Sequence, residues 1–493
     1  MVEQLPIINL ILFLFMALLI PLLKRKPFKI TLVLGFFVLG LVLASSIYLL
    51  WHVNQVGPIS YTFGGHEARF GIELLIDPFS ALFTTMILVV AMIIYIYSSG
   101  DATDGIENTE YGRYYVLVFI LLMALFGILY TNDLFNTYVF IEILSITTCS
   151  VISIKKKKDT YTSAFRYLMM NELGSLSYLL GVALIYMATG FTNITLINES
   201  MAQAMVNYPI NIVLAIGFMV VGIGIKAAIF PFHIWLPDAY SNAPSTTSAI
   251  LSGIISKGYL LILIKILYKV FGIEILEQLN VQVVLLTLAG VAMIVGSIFA
   301  IAQKDVKRML AYSSVSQVGY ILLGIALFSF LGLRAAFFHI FSHAFMKTAL
   351  FLSVGEIIFY KKTRKVNDFD GMGFIMPVAM GVFSIAALGM IGLPLTSGFI
   401  SKLNLGIAVL DHQYIIFLVI LIVSSLLNVL YYLPIIILAF LRNEKYRYRL
   451  TRIESTPTTM ITPLFILAII IIGLGLFPNI ILPMIDSAVN TLI

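Results

Sequence analysis

The sequence predicts an all-α integral membrane protein with about fourteen transmembrane helices, and its composition and apolar runs support this fold class. Of the 493 residues, 60% are hydrophobic and only 11% are charged, whereas a soluble domain has about 25% charged residues. The apolar runs are too long and too numerous for a soluble core, and about 20 apolar residues are needed to span a bilayer. We therefore expect lipid around this chain.

Fourteen apolar segments follow one another, and we interpret each as one crossing of the membrane. They are 5–23, 28–51, 77–99, 113–131, 133–153, 161–190, 210–234, 244–270, 280–303, 307–330, 334–360, 374–410, 412–441 and 460–485. The first segment could imitate a secretion signal. Basic residues at 24–26 follow it instead of a small-residue cleavage site, so we interpret it as a spanning helix.

Basic residues are concentrated in every second loop, which predicts the orientation. One set of loops holds the basic residues at 24–26, 155–158, 304–308, 361–365 and 442–452, whereas the other set, including the loop 191–209, has almost none. Because basic loops remain in the cytoplasm, we expect these loops to be cytoplasmic. Both termini of this cell-membrane protein would then lie outside.

Two segments, 210–234 and 374–410, contain glycine and proline beside Lys226 and Lys402, and they predict discontinuous helices. They lie five crossings apart, so a repeated five-helix unit would run in opposite directions, as in the inverted repeats of transporters. Kinks unrelated to a repeat are the alternative. We expect helices 1–3 within 1–111, the first repeat (helices 4–8) within 112–271, the inverted repeat (helices 9–13) within 280–441, and a basic loop with helix 14 within 442–493.

Several ionisable side chains fall inside the apolar segments, where a charge costs roughly 2.5–3.5 kcal/mol at the bilayer centre. The candidate ion-pathway residues are Glu142, Lys226, Lys257, His339, His343, Lys347 and Lys402. Three of them, at 339, 343 and 347, share one helix face. A buried lysine beside a glutamate can give up its proton when the pairing changes, and histidine suits a relay. The set predicts proton movement through the middle of the membrane.

These residues also have structural alternatives. The lysines and the glutamate could join helices as fixed ion pairs, and the histidines could be hydrogen-bonded packing residues. Lys402 could extend to the membrane surface, and for Lys265 this is the interpretation that we favour. Glu172, which also lies within an apolar segment, has no assigned role.

Composition argues against several other functions. The single cysteine, Cys149, permits no internal disulfide, Cys-ligated iron–sulfur cluster or zinc finger. The net charge of +6 lies in short loops and apolar segments, which argues against nucleic-acid binding. We expect no cofactor and no metal in this chain. Any electron transfer would take place on a partner, and whether the chain is part of an enzyme therefore depends on that partner.

Four stretches carry a family resemblance. They are KAAIFPFHIWLPDAY from Lys226 with APS from Ala243, DVKRMLAYSSVSQVGY from Asp305, HAFMKTALFL from His343, and GLPLTSGF from Gly392. Together they resemble the antiporter-like subunits shared by respiratory complex I, the multisubunit Mrp cation/proton antiporters and the membrane-bound hydrogenases. The resemblance extends from about residue 120 to residue 410.

The resemblance implies a role for each matching residue. Glu142 resembles the acid on the family's fifth helix, Lys226 the lysine on the broken seventh helix, and Lys257 the lysine on the eighth. His343 matches the central histidine of the eleventh helix. Lys402 resembles the charged residue on the broken twelfth helix, where lysine is closer to the Mrp D type than glutamate is.

We therefore expect a proton-translocating subunit, with or without sodium exchange, among other membrane subunits in a larger complex. The stretch MNELGS at 170–175 departs from the family pattern. It leaves the parent complex open between an antiporter and the ion-pumping module of a hydrogenase, a sulfur reductase or a complex I-like oxidoreductase. A stand-alone solute transporter, which would be active as a lone monomer, and a scaffold subunit, which would not need buried charges, remain as alternatives.

Overall fold

The computed structural model describes residues 2–23, 28–65, 71–100, 105–441 and 457–493. In this part of the chain, 13 helices are long and apolar enough to cross a membrane. Two further helices of 15 residues each, separated by a break, occupy the predicted segment 374–410. The predicted fold class of a multi-pass helical membrane protein is confirmed.

Besides short 3-10 turns, the described elements follow in order. They are α1 (Leu5–Leu22), α2 (Phe28–Gln55), β1 (Ile59–Thr62), β2 (Glu73–Ile76), α3 (Pro78–Ser98), α4 (Tyr111–Tyr130), α5 (Leu134–Ser153), α6 (Lys158–Thr189), α7 (Ile194–Asn207), α8 (Pro209–Lys226), α9 (Leu236–Asn242), α10 (Ser245–Phe271), α11 (Ile273–Gln278), α12 (Val281–Ile301), α13 (Val306–Ala326), α14 (Phe330–Lys361), α15 (Met372–Ile375), α16 (Pro377–Ile391), α17 (Ser397–Asp411), α18 (Ile415–Phe440), α19 (Thr458–Leu476) and α20 (Leu482–Asn490).

Among the elements in segments that the apolar pattern left as loops are helix α7 and one β-hairpin. Helix α7 fills most of the loop 191–209, and it begins where the Asn193 side chain accepts the backbone N–H groups of Thr195 and Leu196. Strands β1 and β2 form an antiparallel hairpin in which Ile59 pairs with Ile76. Neither element is an apolar run of spanning length, so hydropathy alone could not reveal them.

Two of the basic loops, 304–308 and 361–365, lie against each other, and Arg166 of α6 lies at the same end of the bundle. Asp238 accepts hydrogen bonds or ion pairs from Arg166 at 2.5 Å and from Arg308 at 3.1 Å. The Val306 N–H donates to the Arg364 carbonyl oxygen at 2.9 Å. The basic residues at 24–26 and 442–452 lie outside the described residues, and the placement of this end in the cytoplasm stays a prediction.

The helix breaks fall where glycine, proline and lysine predicted them. Helix α8 ends at Lys226, and the chain continues irregularly through Pro231 before α9. Helix α16 ends at Ile391, where Gly392 adopts a φ of +96° that glycine tolerates best. Both discontinuities are therefore confirmed, whereas the inverted repeat and the four domain boundaries stay predictions.

The three most enclosed helices carry most of the candidate charges. The apolar spans of α10 and α14 are completely buried and that of α13 is 94% buried, whereas α2 and α18 have about a third or less of theirs buried. The outer helices therefore present apolar surface to the surroundings, as lipid requires. Helices α10, α13 and α14 form the centre of the bundle.

A close approach of two glycines fixes the position of α8 against α6. A Cβ atom on Gly222 would lie 2.6 Å from the Gly174 carbonyl oxygen, and one on Gly174 would lie 2.8 Å from that of Gly222. Small residues at such a crossing let membrane helices pack backbone to backbone. The crossing lies one helical turn before Lys226 and brings the stem of that lysine against α6, because a Cβ atom on Gly174 would also lie 3.3 Å from the Lys226 Cγ atom.

A row of buried ionisable side chains

The candidate ion-pathway residues follow one another in a row that extends from Glu142 to Lys402. The first lysine of this row, Lys226, occupies the end of α8 and is only 1% exposed. Its Nζ atom donates a hydrogen bond to the Ser145 hydroxyl on α5 at 2.8 Å. It also lies 5.7 Å from the ring centroid of Tyr259 on α10, and the Tyr259 hydroxyl is 3.4 Å from that of Ser145. The broken helix therefore delivers an ammonium group to the Ser145 hydroxyl, which in turn contacts that of Tyr259, and each hydroxyl can donate and accept a proton.

Glu142 and Glu172 stand at the same level on the antiparallel helices α5 and α6. Contacts of Cys149 with the Ala164 carbonyl and of Tyr178 with the Leu134 carbonyl fix this register. Both acids interact electrostatically with Lys226, although no direct ion pair joins either of them to the lysine. Both are half-buried rather than enclosed.

A fixed ion pair of Glu142 with a lysine was the alternative to an ion pathway, and this alternative is wrong for Lys226. The Lys226 ammonium hydrogen-bonds to Ser145 instead. Glu142 itself is only half-buried, since exposed Val139 and Ile146 flank it on α5, although its Oε1 atom is enclosed. The acids therefore lie at the edge of the row, and the lysine lies inside it.

Lys257, His343 and Lys347 meet at the centre of the bundle, where all three are at most 1% exposed. Lys257 donates to the Ser252 carbonyl oxygen, and Lys347 donates to the Leu310 carbonyl at 2.7 Å and to the Ser313 hydroxyl at 2.5 Å. Both lysines interact electrostatically with His343. Neither ring nitrogen of His343 has a hydrogen-bond partner in the described part of the chain, so the imidazole is available to both lysines.

His339 continues the row from His343 towards the second helix break. The two imidazoles stack with centroids 6.0 Å apart, and His339 also stacks on the Tyr320 ring at 5.6 Å. Its Nδ1 atom lies 3.0 Å from the hydroxyl of Ser401, which immediately precedes Lys402 in α17. The face predicted for 339, 343 and 347 therefore points into the bundle and connects its centre with the second break.

Lys402 lies at the end of the row and binds the backbone at the second helix break. Its Nζ atom donates to the carbonyl oxygens of Met390 at 2.8 Å and Ile391 at 3.0 Å, and to the Ser425 hydroxyl at 3.1 Å. The last carbonyl groups of a helix have no partner within it. The lysine therefore supplies hydrogen bonds to the carbonyl groups that the break leaves without a partner. The ammonium lies 4.8 Å from the Tyr320 centroid. With 6% exposure, Lys402 does not extend to the membrane surface.

Lys265 has a different position from the one that we favoured. It is 7% exposed and donates to the carbonyl oxygens of Leu129 and Thr131 at 2.8 Å and of Ile128 at 3.3 Å. Three carbonyl groups at the end of α4 attract a cation because the negative end of the helix dipole lies there. Extension to the membrane surface is therefore wrong for Lys265, which joins α10 to α4.

The hydroxyl and amide groups between the charges were not predicted from the sequence. Ser145, Tyr259, Tyr320 and Ser401 contact the charged side chains directly, as described above. Gln317 on α13 is fully buried, and neither end of its amide has a hydrogen-bond partner among the described residues. Serine and tyrosine are ordinary in membrane helices, so only their proximity to the charged groups distinguishes them. In the described residues no group of three or more His, Cys, Asp or Glu side chains is arranged to hold a metal ion.

Comparison with known proteins places this architecture in a family. Residues 131–428 match the family model described as NADH:quinone oxidoreductase/Mrp antiporter, TM. The chain is 36% identical to the N subunit of the NADH-quinone oxidoreductase of Desulforudis audaxviator, over 97% of this chain and 96% of that protein. It is 31% identical to the D subunit of the Na(+)/H(+) antiporter of Alkalihalophilus pseudofirmus, over 84% and 82%.

A solved structure has the same fold over nearly the whole chain. A chain of the membrane-bound sulfane sulfur reductase, an archaeal respiratory membrane complex, superposes with a TM-score of 0.91 and 27% identity, covering 99% of this chain and 98% of that one. This similarity extends beyond the matched family region to the helices at both ends. The protein belongs to the NADH:quinone oxidoreductase/Mrp antiporter transmembrane family.

Proposed function

We propose that this protein is the proton-translocating membrane subunit of a larger complex and that protons move along the row from Glu142 to Lys402. The observation that carries the proposal is the buried centre, where Lys257, Lys347 and His343 share one site and no acidic side chain of the described residues is in direct contact with them. Buried ionisable groups are costly in a membrane. A chain that places three together, between two broken helices, fits ion movement better than packing alone.

The geometry supports movement of protons by exchange between neighbouring groups. Two ammonium groups close together in a poorly hydrated site repel each other, so charging one lysine favours release of a proton from the other. His343 can accept a proton at one ring nitrogen and release it from the other. Because these groups titrate together, a change of charge near Lys226 would be felt at Lys257 and beyond.

Glu142, at the edge of the row, controls when Lys226 releases its proton in this mechanism. When Lys226 is protonated, the negative charge of Glu142 stabilises the ammonium in the row. If that charge is neutralised by a proton or drawn towards a partner subunit, Lys226 is free to transfer its proton towards Tyr259 and Lys257. Glu142 would then control the row without being enclosed in it.

Sodium exchange and the parent complex are further parts of the proposal. One relative is named a Na(+)/H(+) antiporter subunit and another an NADH-quinone oxidoreductase subunit, and both belong to assemblies of several subunits by name. We infer that this chain likewise works with other membrane subunits, in the cell membrane, with the basic loops in the cytoplasm and both termini outside. A stand-alone transporter fits less well because the polar groups form a row rather than a cavity shaped for a solute.

The test is proton uptake by inverted membrane vesicles that contain the native complex with Glu142→Ala or Lys226→Ala. Both variants should transport at less than about a tenth of the normal rate while the complex assembles in normal amount. Glu199→Ala, which removes an exposed acid from α7, is the matched control and should transport normally. Normal transport by both test variants would refute the pathway. An outward sodium gradient that drives uptake would add sodium exchange to the function.

A further inference from the structure

A groove between α1, α4 and α5 lies at the end of the bundle that holds the basic loops. Its volume is about 390 Å³, and its lining includes Pro21, Arg113, Leu117, Ile154 and Lys156. Arg113 belongs to the first turn of α4, and Lys156 follows the last turn of α5. The groove therefore begins at the ends of two apolar helices and continues along their sides.

The polar end of the groove is a group of two cations and one anion. Glu110 accepts hydrogen bonds from Arg113 at 2.8 and 2.9 Å and from Lys156 at 2.7 Å. The Lys156 hydrogen bond keeps the pKa of the Glu110 carboxyl below its usual value, and the same bond raises the pKa of Lys156. Lys156 and Glu110 are therefore both charged at neutral pH, and a second acid, Glu107, also acts electrostatically on Lys156.

Both cations retain donors that the carboxylate does not use. The hydrogen bonds from Arg113 to Glu110 involve only the Nη1 atom of the arginine, and a guanidinium has five N–H donors in total. The two cationic side chains are 70% and 44% exposed beside a carboxylate that is 6% exposed. The acid thus holds the cations in position, and their free donors remain accessible from the groove.

Lys156 has an unusual backbone conformation. The residue has a φ of +54°, which is unusual for any residue with a side chain. Glycine or asparagine would adopt this conformation more easily. From this position the Lys156 ammonium reaches the Glu110 carboxylate at 2.7 Å.

We propose that this groove binds one anionic phospholipid, with the headgroup phosphate on Arg113 and Lys156 and an acyl chain along Leu117 and Ile154. A phosphodiester carries one negative charge, which can accept the Arg113 and Lys156 donors that Glu110 leaves free. Guanidinium groups bind phosphate oxygens through paired N–H donors. Basic pockets between membrane helices on the cytoplasmic side are suited to anionic headgroups. A free phosphate ion would leave the apolar walls below the cations empty, whereas an acyl chain would cover them.

Two kinds of variant separate the contribution of the groove's charge to lipid binding from that of its shape. Each is made in the complete complex, which is purified in detergent and stripped of lipid. Arg113→Gln with Lys156→Gln removes both phosphate donors. Leu117→Trp fills the apolar part of the groove and leaves the cations in place. Lys304→Gln with Lys361→Gln removes two exposed cations from the same end of the bundle, and it is the control for overall charge.

The measurements are lipid retention by native mass spectrometry and the thermal midpoint with added phosphatidylglycerol, phosphatidylcholine or inorganic phosphate. Phosphatidylglycerol should bind and stabilise the normal protein and the charge control. Each basic side chain near a membrane surface contributes about 1 kcal/mol, so the double groove variant should bind about 30-fold more weakly. Leu117→Trp should also lose the lipid.

Three results would overturn the proposal. They are equal effects of phosphatidylcholine and phosphatidylglycerol on the normal protein, stabilisation by inorganic phosphate alone, and unchanged lipid binding by both groove variants. If the double variant does not assemble, Leu117→Trp still decides the question, because it alters no charge. None of these results depends on proton transport, so the lipid site and the proposed function can fail separately.

Discussion

The Lys226 ammonium donates to the Ser145 hydroxyl, although Glu142 lies only three residues before Ser145 on α5. The lysine therefore has a neutral partner in direct contact and an acid at longer range. A neutral partner holds the ammonium without fixing its charge as strongly as a contact carboxylate would. This arrangement is suited to a group that must both keep and lose a proton.

The first prediction concerns this hydroxyl. Ser145→Ala should slow proton uptake about tenfold or more, because a hydrogen bond to a charged group contributes about 1.5–3 kcal/mol and Tyr259 loses its link to Lys226. Initial rates in inverted vesicles would measure the effect. Ser384→Ala, which removes a hydroxyl bonded only to its own helix, should have little effect. Equal rates for both variants would show that Ser145 has no part in the pathway.

The second prediction assigns Glu172 to the edge of the row. Glu172→Gln should reduce the transport rate several-fold, and less than loss of Glu142 does, because Lys226 keeps its interaction with Glu142. The same uptake assay compares it with Glu199→Gln on the exposed surface. A normal rate in the Glu172 variant would leave Glu142 as the single acid that acts on Lys226.

The third prediction separates packing from charge at the first helix break. Gly222→Ala should destabilise the chain by about 1–3 kcal/mol, because the new Cβ would lie 2.6 Å from the Gly174 carbonyl oxygen and 2.7 Å from the Tyr178 nitrogen. Gly217→Ala has open space around it in the described structure and should be neutral. Thermal midpoints of the purified complex test the pair, and similar midpoints would argue against the close α6–α8 crossing.

The fourth prediction concerns pH and the hairpin outside the membrane. Burial alone would raise the pKa of Glu73, but hydrogen bonds from Asn132, Ser60 and Asn193 together lower it below its usual value. The carboxylate therefore stabilises the fold above the unfolded pKa of about 4.3, and this contribution disappears as the pH falls through the lowered pKa.

Glu73→Gln should accordingly reduce stability at pH 7 by less than about 1 kcal/mol, because the carboxylate is only half-buried. The difference between the variant and the normal protein should shrink as the pH is lowered below about 4. Thermal midpoints at several pH values would measure it. A difference that stays constant with pH would mean that the lost contacts, and not the charge, cause the effect.

The sequence predicted the membrane fold and both breaks because these depend on long apolar runs and on glycine and proline in them. It also identified Lys226, Lys257 and Lys402, since charge in an apolar run is conspicuous. Contacts between helices could not be predicted in the same way. The Ser145 partner of Lys226 and the carbonyl partners of Lys265 depend on how distant helices cross, which a hydropathy pattern does not specify.

Charged residues near the ends of helices were also difficult to interpret. Glu356 and Lys307 are each only 2% exposed, although both lie close to the basic loops in the sequence. Their burial follows from the packing of α14 and α13 in the centre of the bundle. Position along the apolar segment alone therefore does not separate buried charges from surface charges.

Lys257→Met tests the central claim most directly, because Lys257 is fully buried and links the two halves of the row. We expect that inverted vesicles containing this variant assemble the complex but take up protons at less than about a tenth of the normal rate. Lys304→Met, at an exposed position, should behave normally. Proton uptake by Lys257→Met at the normal rate would contradict a pathway through the centre of the bundle.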